Sequence, residues 1–424
     1  MSSQVPQSGV QRRRVFYIPG YDPIHPRRYR ELYRKEGRAQ SAISGYRLEV
    51  SAKTGDGPYG WHVWSEQDGA EVQTDVEVLV WSDIVRDSMD SSIPATYWQL
   101  LRTAWIYIST GTLWRLMRLR KGPVIAALYP VAMLLGQLAL AGLVFYGVAM
   151  LSASAMHWLV EAVEGPALFG PYFAPRMYFC LALGVLAGWW VLRWFRKIDN
   201  RLFAYYLMHD YAYSARLRGE TPPELQARLD AFRALVAAAL RSPVDEVLVV
   251  GHSSGAHLGV SVLADLLRRG EVPPDGPVLS FLTLGQVVPM VSFLPRADRL
   301  RADLQLLSQT GRLTWVDVSA PGDGCAFALC DPVAVSGVAG PGKRWPLVLS
   351  AAFTQTLSPE RWAALRWRFF RLHFQYLCAF DRPSDYDYFR ITAGPLTLGA
   401  RFAGRAPSKS RIERAVSKYR TVRA

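Results

Sequence analysis

The sequence predicts an α/β fold: a mostly parallel sheet flanked by helices, with an inserted transmembrane helical hairpin. Three observations lead there. Apolar runs of strand length alternate with helical patterns, which implies a parallel sheet covered on both faces. The stretch from Gly122 to Val160 carries no charged side chain, and a second apolar run follows at Met177–Leu192. Strand patterns stand on both sides of these runs, at Val76–Trp81 and at Glu246–Val250. The hairpin therefore interrupts one domain rather than separating two.

Residues 1–14, ending in "QRRR", are polar and basic, lack the apolar core of a signal peptide and are expected to be disordered. The first part of the α/β domain, residues 15–93, opens with the strand "RVFYIPG" and the charged helix "RRYRELYRKEG". Period-two alternation in "YRLEVSA", "GWHVWSE" and "TDVEVLVWS" predicts three further strands. Residues 94–121 mix Trp and Tyr with Arg and are expected to form an amphipathic helix along a membrane interface. The same pattern suits an amphipathic helix packed on the soluble domain.

Residues 122–197 form the hairpin, with spans at about 124–150 and 177–195, because roughly 20 apolar residues cross a bilayer. Arg115, Arg118, Arg120 and Lys121 precede it, and Arg193, Arg196, Lys197 and Arg201 follow it. The short connection holds Glu161, Glu164 and a single Arg176. Basic flanks stay in the cytoplasm, so both termini and the α/β domain are expected there, on a bacterial inner membrane. The second part of the domain, residues 198–400, supplies the helix "PPELQARLDAFRALVAAALR" and the strands "DEVLVVG", "PVLSFLTLG", "RLTWVDVS" and "RWPLVLSAA". The tail, residues 401–424, has eight basic residues against one Glu and is expected to be mobile and to touch anionic headgroups.

With 424 residues, half of them apolar and 12% aromatic, the chain is neither disordered nor of low complexity. A net charge of +14 raises nucleic-acid binding as a possibility. The basic residues, however, cluster beside apolar segments, which suits membrane lipids as partners, and no nucleic-acid motif is present. Cys180, Cys325, Cys330 and Cys378 show no CxxC spacing, as expected of reduced cytoplasmic thiols. No metal or organic cofactor is implied, and the sequence leaves protein partners open.

The stretch "DEVLVVGHSSGAHLGVSVLADLLRR" joins a buried-type strand to an apolar-periodic helix through Gly251-His252-Ser253-Ser254-Gly255. A sharp turn between them needs residues without bulk at Gly251 and Gly255, so that Ser253 sits strained and exposed. The Ser254 N–H, at the start of the helix, can then face a developing oxyanion. Here the sequence resembles the α/β-hydrolase superfamily, specifically its lipase- and esterase-like members, and only this elbow is specific to them. The resemblance implies Ser253 as nucleophile, with the acid and then the histidine following it in the chain.

Only His257 and His373 follow Ser253. His257 sits one turn along the same helix and cannot reach back, which leaves His373 in "FFRLHFQYLCAF" as base, against the simpler role of a packed histidine. His25, His62, His157, His209 and His252 precede the nucleophile, and His252 reads as packing. The acid should lie beyond "RLTWVDVS". Asp323, in the Pro/Gly loop "SAPGDGCAF", is preferred; Asp331 is the alternative acid, and Asp317 belongs to the strand. A second oxyanion donor would come from Gly20 or Tyr21 in "FYIPGYDP", although the His-Gly pair of the lipase pattern is missing there.

The expected activity is that of a membrane-anchored serine hydrolase cleaving carboxylic esters, with lipid-derived esters fitting the anchor. Acyl transfer differs only in which acceptor beats water. The other reading is an inactive hydrolase-like membrane scaffold or partner-binding protein.

Overall fold

The computed structural model describes residues 9–89, 92–164 and 173–423. Residues 1–8 of the basic N-terminus, part of the connection between the two spans (165–172) and Ala424 lie outside the described residues. The chain divides into two compact units. One contains the residues up to Asp87, Trp105–Val124 and Ser214 onward; the other contains Ser88–Ala104 and Ile125–Tyr213.

The first unit is built on an eight-stranded sheet: β1 (Arg12–Ile18), β2 (Arg47–Ala52), β3 (Gly60–Gln67), β4 (Ala70–Val78), β5 (Glu246–His252), β6 (Val278–Leu284), β7 (Thr314–Ser319) and β8 (Leu347–Ser350). The order is β2-β3-β4-β1-β5-β6-β7-β8. β2, β3 and β4 pair antiparallel, and from β4 to β8 every pair is parallel. All seven residues of β5 are buried, as a parallel strand covered on both faces requires. β1 lies between β4 and β5, with Val15 opposite both Val76 and Leu248. The chain thus leaves β1 toward one side and later returns on the other. In open α/β sheets such a reversal, at the carboxyl ends of the flanking strands, is where ligands bind; here it falls at the ends of β1 and β5.

Two terminal expectations are corrected. The basic "QRRR" is not a disordered arm, because β1 begins at Arg12. Arg13 is buried: its Nε donates to Glu246 at 2.6 Å, and its terminal nitrogens donate to the carbonyls of Gly394 and Leu396 at 2.8 and 2.7 Å. Ser280 and the Leu398 amide complete the Glu246 carboxylate. A charge buried with every partner in place costs far less than an orphaned one. The basic tail is likewise packed. Ser408 N–H donates to Val348 O at 2.8 Å, Ile412 N–H to Leu329 O at 2.7 Å and Val416 N–H to Val335 O at 3.0 Å.

In the segment expected at the interface, the structure divides the two faces. Ile106, Tyr107, Leu116 and Leu119 pack with Phe293, Leu294 and Phe327, whereas Trp105, Ile108 and Trp114 are exposed.

The second unit contains two apolar helices, Lys121–Glu164 (from Ile125 onward) and Phe173–Lys197. Both are long and apolar enough to cross a membrane, and only 28% of the apolar window in each is buried. They meet through small residues: a Cβ placed on Gly184 would lie 2.7 Å from Phe145 O, and one on Gly188 would lie 3.0 Å from Ala141 O. Such glycines let two backbones approach closely in lipid, where the hydrophobic effect does not drive helices together.

Candidate active site

β5 ends at His252, and the following helix, Gly255–Arg268, begins two residues beyond Ser253. Ser253 therefore occupies the reversal, with φ of 57°, a left-handed conformation that is uncommon and strained for a residue with a side chain. Its amide donates to Leu284 O at 2.9 Å, tying the turn to the end of β6. A Cβ on Gly255 would collide with Ile18 O, and one on Gly20 would lie 2.9 Å from Ser253 Cβ. The glycines are thus needed for backbone approach. The β1 loop lies directly against Ser253, held there by Trp81 Nε1–H donating to Pro19 O at 3.0 Å.

Asp323 lies in the loop after β7 and is fully buried beside His373. His373 Nδ1 and Asp323 Oδ2 are 2.7 Å apart. Tyr376 Oη–H donates to the same carboxylate oxygen at 3.0 Å, and the Cys325 amide donates to Oδ1 at 2.9 Å. Burial would raise the Asp323 pKa; His373, by charge and hydrogen bond, together with these donors, outweighs it and holds the carboxyl below its ordinary value. With Nδ1–H donating to the carboxylate, Nε2 carries the lone pair. That nitrogen is buried without a hydrogen-bond partner, and Ser253 Oγ does not reach it with a hydrogen bond among the described residues. Gly285, with φ of 52°, fits beneath the pair: a Cβ there would lie 3.1 Å from His373 Cε1 and 3.3 Å from Asp323 Oδ2.

His252 does more than pack. Its Nε2–H donates to the backbone carbonyl of His373 at 3.0 Å, which leaves Nδ1 to accept from Tyr17 Oη at 3.3 Å. Burial, then the neighbouring His373, pushes its pKa down to about 3, so the ring is neutral. His257 is also neutral, its pKa lowered to about 4 by burial.

The alternative acid is placed elsewhere. Asp331 caps a short helix, accepting from the Val333 and Ala334 amides at 2.9 and 3.0 Å, and it pairs with Lys343 at 2.6 Å. Asp317 stays inside β7, where it accepts from Thr283 Oγ1 at 2.6 Å. Among the oxyanion candidates, the Ser254 and Gly20 amides donate to no acceptor among the described residues. The Tyr21 side chain turns away toward Trp81 and Val85.

Asp323, Cys325 and His373 each offer a metal-ligand atom, all within 4.8 Å of one another. Burial pushes the Cys325 thiol well above its ordinary pKa, which disfavours the thiolate a metal needs. Sequence reasoning missed Tyr376, Gly285 and the His252 contact. Only Tyr376, three residues beyond His373, carried a signal. No protein-family model, curated protein or solved structure matches the chain.

Proposed function

We propose that the protein is a membrane-anchored serine hydrolase of carboxylic esters, working through Ser253, His373 and Asp323. The observation that carries this reading is the buried 2.7 Å Asp323–His373 pair, joined through the His252–His373 carbonyl bond to a strained strand-to-helix turn that carries Ser253. A serine hydroxyl becomes a useful nucleophile only when a base takes its proton. In this reading Ser253 Oγ attacks the ester carbon while its proton passes to His373 Nε2. Asp323 holds the imidazole in the required tautomer and stabilises the imidazolium. The carbonyl oxygen, now negative, is met by the Ser254 and Gly20 amides; a donor of this kind is worth about 10²–10³ in rate. The C–O bond to the leaving alcohol breaks and His373 returns the proton to that alcohol. Water then attacks the acyl-enzyme with the same proton relay, releasing the acid and restoring Ser253. In this reading the Ser253–His373 hydrogen bond, which is not made here, forms when substrate binds, as such bonds often tighten only then.

The basic flanks of the two apolar helices support cytoplasmic termini and a cytoplasmic catalytic unit on a bacterial inner membrane. The unmade hydrogen bond is also what favours the second reading, a catalytically silent membrane scaffold with this fold. Fluorophosphonate labelling of membrane fractions separates the two. Wild type should take up probe, with loss in Ser253→Ala and a sharp drop in His373→Ala. A folded wild type that takes up none would leave the scaffold.

A further inference from the structure

Immediately before His373 the chain reads Arg366-Trp367-Arg368-Phe369-Phe370-Arg371. Arg366, Trp367, Arg368, Phe369 and Arg371 are all exposed, and at 74% Trp367 is the most exposed large apolar side chain among the described residues. No Asp or Glu lies between Arg361 and Phe380. None of the three guanidinium groups (366, 368, 371) makes an ion pair among the described residues; Arg366 instead lies 5.6 Å from the Trp367 ring centroid. Exposed aromatics interleaved with unpaired arginines match the boundary between lipid headgroups and acyl chains, where one end of each side chain is dry and the other wet.

The loop carrying Asp323 connects this segment to the membrane-type helix. A Cβ on Gly324 would lie 3.1 Å from the Phe369 ring, and a Cβ on Gly322 would lie 2.6 Å from the Trp362 ring, so the aromatic segment sits tight on the loop. From the other direction, a Cβ on Gly122, in the first turn of the helix Lys121–Glu164, would lie 3.7 Å from Gly324 Cα. Arg120 Nε–H donates to Ala328 O at 2.9 Å and fixes that approach. The first turn of the long apolar helix, the acid loop and the basic aromatic segment therefore meet at Gly324. A surface that receives the start of a membrane span on one flank and presents unpaired arginines on the other suits an anionic bilayer.

We propose that Arg366–Arg371 docks on the anionic bilayer surface, with Trp367 at the headgroup boundary and the arginines on lipid phosphates. Docking there holds the Asp323–His373 pair at the membrane interface. Resting on the serine-hydrolase reading, it names the substrate class as an ester whose acyl chain remains in the bilayer while its carbonyl reaches Ser253. The docking itself does not depend on that reading.

The test uses the full-length protein in lipid nanodiscs, with the photocrosslinker p-benzoylphenylalanine introduced at position 367 or, as a comparison, at the exposed position 275 in the loop before β6. The expected result is phospholipid adducts at 367 and none at 275. Yield at 367 should fall about fivefold when phosphatidylglycerol is replaced by phosphatidylcholine, or when R366Q, R368Q and R371Q are combined. Equal adducts at the two positions, adducts to protein alone, or a yield indifferent to headgroup charge and to the arginines would overturn the proposal. Fluorophosphonate uptake in the same discs reports on the hydrolase separately: lipid adducts without uptake would remove the ester substrate and leave the docking.

Discussion

His252 Nε2 lies 3.0 Å from the backbone carbonyl of His373, so two residues 121 positions apart are joined by one buried hydrogen bond. The residue before Ser253, the proposed nucleophile, thereby fixes where His373, the proposed base, stands. Replacing it should harm catalysis without removing any reacting group. His252→Ala is expected to lower the rate of fluorophosphonate uptake by about 10- to 100-fold, as a small misplacement of a catalytic group does. His252→Gln, which retains a donor, should recover part of the loss. Because the His252 ring is neutral down to a pKa of about 3, the shape of the pH–rate profile above pH 5 should be unchanged in His252→Gln. A changed profile would mean that His252 itself exchanges the proton.

Asp323 is expected to matter through tautomer and charge. Asp323→Asn leaves the volume intact yet should cut the rate by about 10⁴, measured against an activated soluble ester. Tyr376→Phe removes one of the three hydrogen bonds to that carboxylate and should cost far less, about tenfold, consistent with roughly 1.5 kcal/mol for a hydrogen bond to a charged group. If Asp331→Asn proved the more damaging change, the acid would have been misassigned.

Asp317 should make stability depend on pH. Burial first, opposed by the Thr283 hydrogen bond and reinforced by Asp331, raises its pKa to about 7. The folded chain then keeps a proton that the unfolded chain releases near 3.8. Stability is unaffected below pH 4, falls as pH rises toward 7 and levels off above it, with a total loss of the order of 2–4 kcal/mol. Asp317→Asn should remove that slope and melt several degrees higher than wild type at pH 8, with little difference at pH 3.5. Melting curves in detergent at the two pH values decide it.

The hairpin carries its own prediction. Leucine at position 184 would have to displace the Phe145 carbonyl, and overpacking of this kind costs about 1–3 kcal/mol. Gly184→Leu should lower the detergent melting temperature more than Gly142→Leu, because a Cβ on Gly142 meets nothing within 4 Å. Equal melting would show that the helices do not pack as described.

The pairing of Asp323 with His373, and the turn at Ser253, were legible from strand ends and from the chain order that the hydrolase resemblance implies. Each residue stands just beyond an apolar run or at the last histidine, and the structure brings Asp323 and His373 together at 2.7 Å. Arg12–Arg14 was not legible. A basic run reads as solvated unless its partner is known, and Glu246 lies 233 positions away from Arg13. The tail misled for a related reason. Residues 408–417 are held mainly through backbone carbonyls of Val348, Leu329 and Val335, and a backbone acceptor leaves no trace in side-chain type. The His252 link to a carbonyl was invisible on the same grounds.

The position of β1 at the middle of the sheet sets the order in which the protein can be made. Its neighbour β4 ends at Val78, whereas β5 begins at Glu246, and both apolar helices emerge between them. A ribosome adding about 5–20 residues per second needs roughly 8–35 s to cover that interval. Throughout it β1 offers an unpaired edge, the kind that recruits foreign strands. Both apolar helices, long enough to cross a membrane, are therefore synthesised before β5 can pair with β1 and close the sheet.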